Sequence, residues 1–191
     1  MSLWSRGRAG VQWAGLAVAV GAGVAAAMEV PYINWQPVVP PLEAQPLVIR
    51  QDAKGDGRFQ APRSGSRRHR GVDLIGELRS PVHAIRGGRV REARFHRGLG
   101  WFVELEHRGG LTSLYAHLHE TRVAPGMRVR QGDVIGTVGK TGNARHAWII
   151  PHLHLEVLRD GAPIDPERLG LRFAQAQPVS AGTGSDERGG E

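Results

Sequence analysis

Cysteine is absent from the 191 residues, which removes disulfides and thiolate metal sites together; any metal centre must be built from imidazole and carboxylate. Lysine is scarce too, since Lys54 and Lys140 are the only two among 25 basic residues, the rest being arginine. Against 18 acidic residues this leaves a formal charge of +7, so the surface should favour polyanions or acidic substrates. Aromatic residues make up 6% of the chain and form no base-stacking motif. With the export signal described below, this argues against nucleic acid as the partner of the Arg67-Arg68-His69-Arg70 cluster. Sustained 3.6-residue periodicity, internal repeats and coiled-coil heptads are missing as well. Histidine, by contrast, is plentiful, at nine residues.

The length suits one domain with appendages better than two domains. Arg6 and Arg8 precede an apolar run from Val11 to Ala27 that ends in small residues, the pattern of a signal peptide or of a membrane anchor left in place. Either form predicts export to the periplasm or cell envelope, with membrane contact only through residues 11–27. Residues 28–56 carry prolines 31, 37, 40, 41 and 46, which no regular helix survives, and read as an extended linker or an arm laid along the domain. Residues 57–169 show short apolar runs broken by Gly, Asn, Asp and Pro, an all-β signature. The remainder, 170–191, is small, polar and Gly-rich, and is expected to be flexible.

Three strands can be resolved by face. In LTSLYAHL, the two-residue period places Leu114, Ala116 and Leu118 inward and Tyr115 and His117 on the opposite side. In HLHLEVL, Leu153, Leu155 and Val157 share one face while His152, His154 and Glu156 share the other. In GVDLI, Asp73 faces away from Val72 and Leu74. Each strand thus offers site-type residues opposite its aliphatic set.

His152 and His154, two apart on a strand, have Cα atoms about 6.5 Å apart and can address one small site without both binding the same ion. His69 and Asp73 would be about 13 Å apart in a fully extended chain, too far for one ion, so the chain must bend between them, and Gly71 is placed to allow it. A zinc held by His69, Asp73 and His154 would keep a fourth position open, which is the catalytic rather than the structural pattern. A neighbouring imidazole such as His117 or His152 could then accept a proton from water or support a developing oxyanion, and amide hydrolysis is the natural outcome.

The order and spacing of R-x-H-x-G-x-D-L, Y-A-H-L and P-H-L-H-x-E resemble the lysostaphin-type, or LytM-domain, zinc metallopeptidases that cut peptidoglycan cross-links. VAPGMRVRQGDVIGTVGKTG, between the second and third motifs, is similar to a glycine-patterned segment of the same family, and the likeness runs from about Phe59 to Pro166. The resemblance implies an all-β fold, a two-layer antiparallel β-sandwich of the duplicated-hybrid-motif type with the metal in a groove. By matching position it makes His69, Asp73 and His154 zinc ligands and His117 and His152 catalytic. Tyr115, Arg70 and Trp148 are candidates for contact with substrate, and Glu156 for orienting His154. One departure is clear: Thr141-Gly142 is followed by NARHAWIIP, a longer path to His152 than the family's, which brings His146 and Trp148 into a rim loop. His83, His96, His107 and His119 match no family position and read as surface or core residues.

The substrate class expected is the peptide stem of peptidoglycan, with a D,D-cross-link containing diaminopimelate as the bond cut and the arginines available to its carboxylates. A catalytically inactive LytM-like domain that binds peptidoglycan or regulates another wall hydrolase is the alternative, disfavoured because the ligand set is complete. A lipoyl- or biotinyl-carrier reading of VRQGDVIGTVGKTG, with Lys140 modified, leaves all three histidine motifs unexplained. The sequence sets no oligomeric state.

Overall fold

The computed structural model describes residues 37–52 and 55–176. The apolar segment 11–27 and residues 177–191 lie outside these. Thirteen strands run through the described chain: β1 (Leu47–Ile49), β2 (Gln51–Asp52), β3 (Gly55–Asp56), β4 (Gly71–Ile75), β5 (Pro81–His83), β6 (Gly88–His96), β7 (Gly100–Glu106), β8 (Leu111–Thr121), β9 (Arg128–Val129), β10 (Val134–Val138), β11 (His152–Arg159), β12 (Ala162–Ile164) and β13 (Phe173–Gln175). Two short 3-10 turns, Gly142–Arg145 and Pro166–Leu169, are the helical elements among the described residues. The fold is all-β and almost wholly antiparallel, as the glycine-broken apolar runs predict; the pairing of β1 with β13 is parallel.

The main sheet runs β13-β1-β4-β11-β8-β7-β6-β9, and β10 joins it through β8 while pairing β5 on its other side. One edge of β8 therefore serves two partners in succession: His154 to Arg159 of β11 lie beside Ala116 to Leu111, and Val138 to Gly136 of β10 lie beside Leu118 to Thr121. The sheet divides at that point and its two parts close on one core. Val72, Leu74, Leu153, Leu155, Val157, Val103 and Tyr115 from one part meet Val82, Ile135 and Val138 from the other, with Val90 and Val129 among them. Each fully buried aliphatic side chain contributes about 1.5–3 kcal/mol of transfer free energy, so β11, with three of them in alternation, is firmly held to its register.

Residues of the proline-rich stretch take part in this core. Val38, Leu42, Leu47 and Ile49 are buried, and β1 hydrogen-bonds to β4 at Ile49–Leu74. Prolines exclude a helix but leave an extended chain free to pair at a sheet edge. The expectation of a flexible tail from 170 needs correction: Leu171 is buried and Phe173–Gln175 pairs with β1. Leu171 and Phe173 are an isolated apolar pair ahead of a polar stretch, too short a pattern to signal a strand.

Candidate metal centre

The solvent side of the sheet follows from register. Across β4, β11 and β8 the partners are Asp73, His154 and Ala116 in one row, and Gly71, Glu156 and Leu114 in the next; directly opposed residues share a face. Because Leu153, Leu155 and Val157 are committed inward, His152, His154 and Glu156 must emerge on the other side, beside Asp73. His69 precedes β4 and reaches the same point from a loop. Gly71 makes this possible, though through space rather than through a left-handed turn: a Cβ there would lie 2.2 Å from the carbonyl oxygen of Leu155, so only glycine lets β4 approach β11 at this level.

The result is a cluster of three buried groups, His69, Asp73 and His154, whose ligand-type atoms all lie within 4.8 Å of one another. Asp73 Oδ1 is 2.7 Å from His154 Nδ1 and 3.1 Å from His69 Nε2, and the two imidazole nitrogens are 3.1 Å apart. Ligand atoms about 2.0–2.2 Å from a tetrahedral zinc are slightly farther apart than this, so a divalent cation fits with a small outward movement of the side chains. The other nitrogens are already engaged. His69 Nδ1–H donates to the Arg58 carbonyl at 2.8 Å, leaving Nε2 for the centre, and His154 Nε2–H donates to Glu156 Oε1 at 3.2 Å, leaving Nδ1. Such outer partners fix ring orientation and tautomer in metal sites.

His117 and His152 stand beside the cluster, not in it, with ring centroids 5.1 Å apart, and His117 is 5.8 Å from the ring of His154. Each has Nδ1 tied to a backbone carbonyl, His117 to Thr141 at 3.0 Å and His152 to Ile150 at 2.7 Å, which leaves Nε2 as the working nitrogen of both. Burial pushes His117 down to about 3, helped by the charge of His154, and burial also lowers His152; both are neutral at physiological pH and able to accept a proton. At Asp73 and His154 burial is overcome by the ion pair: hydrogen bonds from His154 and His69 hold the carboxyl well below its usual range, and Asp73 with Glu156 raises His154 to about 9.

His117 reaches this position through a local break in β8. Its φ is +62°, and the register with β7 jumps so that Tyr115 faces Val103 while Leu118 faces Trp101. One extra residue is thus accommodated in β8, a bulge that re-aims the side chain it carries. This overturns part of the face assignment made from alternation. Leu111, Ser113 and Tyr115 point inward before the bulge and Leu118 points inward after it, whereas Leu114 is half-buried on the outer side. Tyr115 is accordingly not a groove residue: it is fully buried, and its hydroxyl accepts from the Ile85 amide at 2.9 Å and from Ser113 Oγ at 3.0 Å.

The cluster opens into a cavity of about 470 Å³. Arg70 lines it and lies 3.5 Å from Glu156 Oε2; Trp148 does not line it, and instead stacks, largely exposed, on His146 at 4.9 Å. From the long loop it is Asn143, Ala144 and Ile149 that face the cavity. His96, read from sequence as incidental, is on the lining as well, and its Nδ1 accepts from the amides of Gly98 and Leu99. Two supports of the site escaped sequence reasoning. Thr141 bonds Leu118 O and the Trp101 amide through its hydroxyl while its carbonyl holds His117, and the Thr-Gly pair was its only signal: Gly142, at φ +63°, packs too tightly on Gly100 for any side chain. Arg50, buried behind Asp73, had no signal, being a single arginine at the end of a proline-rich stretch.

An all-β domain here gathers two imidazoles and a carboxylate beside an open cavity, with two further imidazoles alongside, the kinds of group that metal-assisted hydrolysis uses. Residues 67–166 match the model of peptidase family M23, and the chain belongs to that family. It is 34% identical over 108 residues to the peptidoglycan DD-endopeptidase ShyC of Vibrio cholerae, covering 56% of this chain and 24% of that protein. Among solved structures, a zinc-containing peptidase from Vibrio cholerae superposes with a TM-score of 0.56 at 29% identity over 69% of this chain and 39% of the other. The catalytic domain of the antimicrobial peptidase lysostaphin from Staphylococcus simulans gives 0.52 at 29% identity, over 63% of this chain and 92% of the other. The chain spans about a quarter of the length of the curated relatives it matches.

Proposed function

We propose that this chain is an exported zinc endopeptidase that hydrolyses peptide cross-links of bacterial peptidoglycan. The observation that carries the reading is the division of the four imidazoles. Two have a nitrogen within 3.1 Å of Asp73 Oδ1, and two stand just outside that cluster with Nδ1 anchored on backbone carbonyls. A zinc ion held by His69, Asp73 and His154 would supply Lewis acidity and bring the pKa of water toward neutrality.

The chain's own groups do the rest. Neutral Nε2 of His152 or His117 accepts the proton that leaves water as it attacks the amide carbonyl. The imidazolium so formed, still held by its backbone anchor, donates to the developing oxyanion and passes that proton to the departing amine. Glu156 fixes the ring of His154, and Arg70, on the cavity wall, is available to a substrate carboxylate. The +7 formal charge suits peptide stems that carry free carboxylates, and the naming of the Vibrio relative as a DD-endopeptidase supports a D,D-cross-link, with diaminopimelate as the acidic residue. Residues 1–27 would direct the protein to the periplasm as a cleaved signal or a retained anchor.

The test is incubation of purified full-length protein with peptidoglycan sacculi, with and without chelator, followed by mass analysis of released muropeptides. Metal-dependent loss of cross-linked species is expected. Unchanged cross-linking with zinc supplied would favour the inactive, peptidoglycan-binding reading. His117→Ala should retain metal and lose turnover; simultaneous loss of the metal would contradict the assignment of roles.

A further inference from the structure

The carboxylate of Asp73 is divided between two tasks. Oδ1 faces His154 and His69, while Oδ2 accepts from Arg50 Nη2 at 2.8 Å, with Arg63 Nη2 more distant at 3.6 Å. Arg50 is itself buried and its second terminal nitrogen, Nη1, donates to Asp52 Oδ1 at 2.6 Å. The other oxygen of Asp52 accepts from the backbone amide of Ile150 at 3.2 Å. The same residue, Ile150, offers its carbonyl to His152 Nδ1 at 2.7 Å. Backbone bonds stiffen the inner end of this path, from Arg50 N to Asp73 O at 2.8 Å and from Gly57 N to Arg50 O at 2.8 Å.

An unbroken path of polar contacts therefore runs from the candidate metal ligand to the candidate proton acceptor: Asp73, Arg50, Asp52, Ile150, His152. Arg50 and Asp52 precede the residues 67–166 matched by the family, and Ile150 sits in the loop before His152, so the middle of the brace is built from residues outside the histidine motifs. Resting on the metallopeptidase reading above, we propose that Arg50 and Asp52 are positioning residues. Arg50 occupies Oδ2 of Asp73 and so confines that carboxylate to ligation through Oδ1; Asp52 clamps the long loop at Ile150 and thereby sets the ring of His152.

The two halves of the brace have different readouts. Arg50→Gln should weaken zinc binding by about 10–100-fold, the usual effect of losing an outer partner of a metal ligand, measured by competition with a chromophoric chelator. The Co2+-loaded protein should also show an altered visible spectrum, because the freed Oδ2 can now approach the ion; Arg50→Lys, which keeps one charged donor, should restore part of the affinity. Asp52→Ala should leave zinc affinity within about threefold of wild type and reduce kcat by about tenfold or more with KM little changed, the split expected when a proton-transfer group is misaligned and substrate binding is not. Circular dichroism of each variant establishes that it is folded, and if Arg50→Gln does not fold, Arg50→Lys and Asp52→Ala carry the test.

Wild-type zinc affinity and cobalt spectrum in Arg50→Gln, or in Arg50→Lys where that variant stands in, would overturn the role of Arg50. Unchanged kcat in Asp52→Ala, or equal loss of metal in both variants, would overturn the separate role of Asp52. Failure of the wild-type protein to bind zinc or to cut sacculi would instead overturn the underlying reading, and is scored before any variant is compared.

Discussion

Tyr115 ends a polar chain inside the core that begins at His107. His107 Nδ1–H donates to Gly87 O at 3.0 Å, its Nε2 lies 2.7 Å from Ser113 Oγ, and Ser113 meets the Tyr115 hydroxyl. Tyr115→Phe strands the buried amide of Ile85, and the expected cost is about 1–3 kcal/mol of stability, read as a lower midpoint in urea. Turnover by the metal-loaded protein should be unchanged, since the hydroxyl is remote from the cavity; a tenfold loss of kcat would restore the substrate-contact role that alternation suggested. His107 supplies a second test. Burial lowers its pKa below the ordinary value, so the unfolded chain takes up this proton first as pH falls. The contribution of His107 is thus complete above about pH 6.5 and is lost progressively below it. His107→Asn should flatten the decline of melting temperature between pH 7 and pH 5.

The sites at which residue-level reading succeeded or failed depend on the elements beneath them. On β11 the alternation is unbroken, and the positions of His152, His154 and Glu156 were legible from the apolar residues between them. On β8 the bulge at His117 inverts the alternation part-way, and nothing in Tyr115-Ala116-His117-Leu118 announces an extra residue; His117 lines the cavity while Tyr115, put on the same face by parity, is buried in the core. Gly71 is an intermediate case, recognised as the hinge between His69 and Asp73 although its requirement is close packing against Leu155. The two causes can be separated. Gly71→Ala should cost about 3 kcal/mol or more, because a backbone carbonyl cannot yield, and should abolish stoichiometric metal binding as β4 is pushed from β11. Gly65→Ala, where φ is +71° but nothing lies within 4 Å of the added methyl, should cost only about 1 kcal/mol and leave metal binding intact. Equal destabilisation of the two in chemical denaturation would mean that conformation rather than space sets the requirement at Gly71.

At the scale of the whole molecule, the centre joins parts of the chain that are far apart in sequence: His69 from a loop, Asp73 from β4 and His154 from β11, with Arg50 behind them from the arm. The three candidate ligands were visible in the sequence because they lie in two compact local patterns, R-x-H-x-G-x-D-L and P-H-L-H-x-E. The contribution of the arm was not, because a lone buried arginine and scattered aliphatics among prolines have no periodicity to read. Groups assembled only by the folded chain bind a cation far more tightly in that state than when unfolded, and binding of this kind adds RT ln(1 + [L]/Kd) to stability. Zinc at a hundredfold excess over its Kd should therefore stabilise the protein by about 2.7 kcal/mol, observed in calorimetry as a rise in Tm that a chelator reverses. The rise should survive in His117→Ala, whose imidazole lies outside the ligand set, and vanish in Asp73→Asn, which removes the only carboxylate in it. A zinc-dependent Tm in Asp73→Asn equal to that of wild type would show that the ion is held elsewhere on the molecule, and the centre at the junction of β4 and β11 would lose its standing as the metal site.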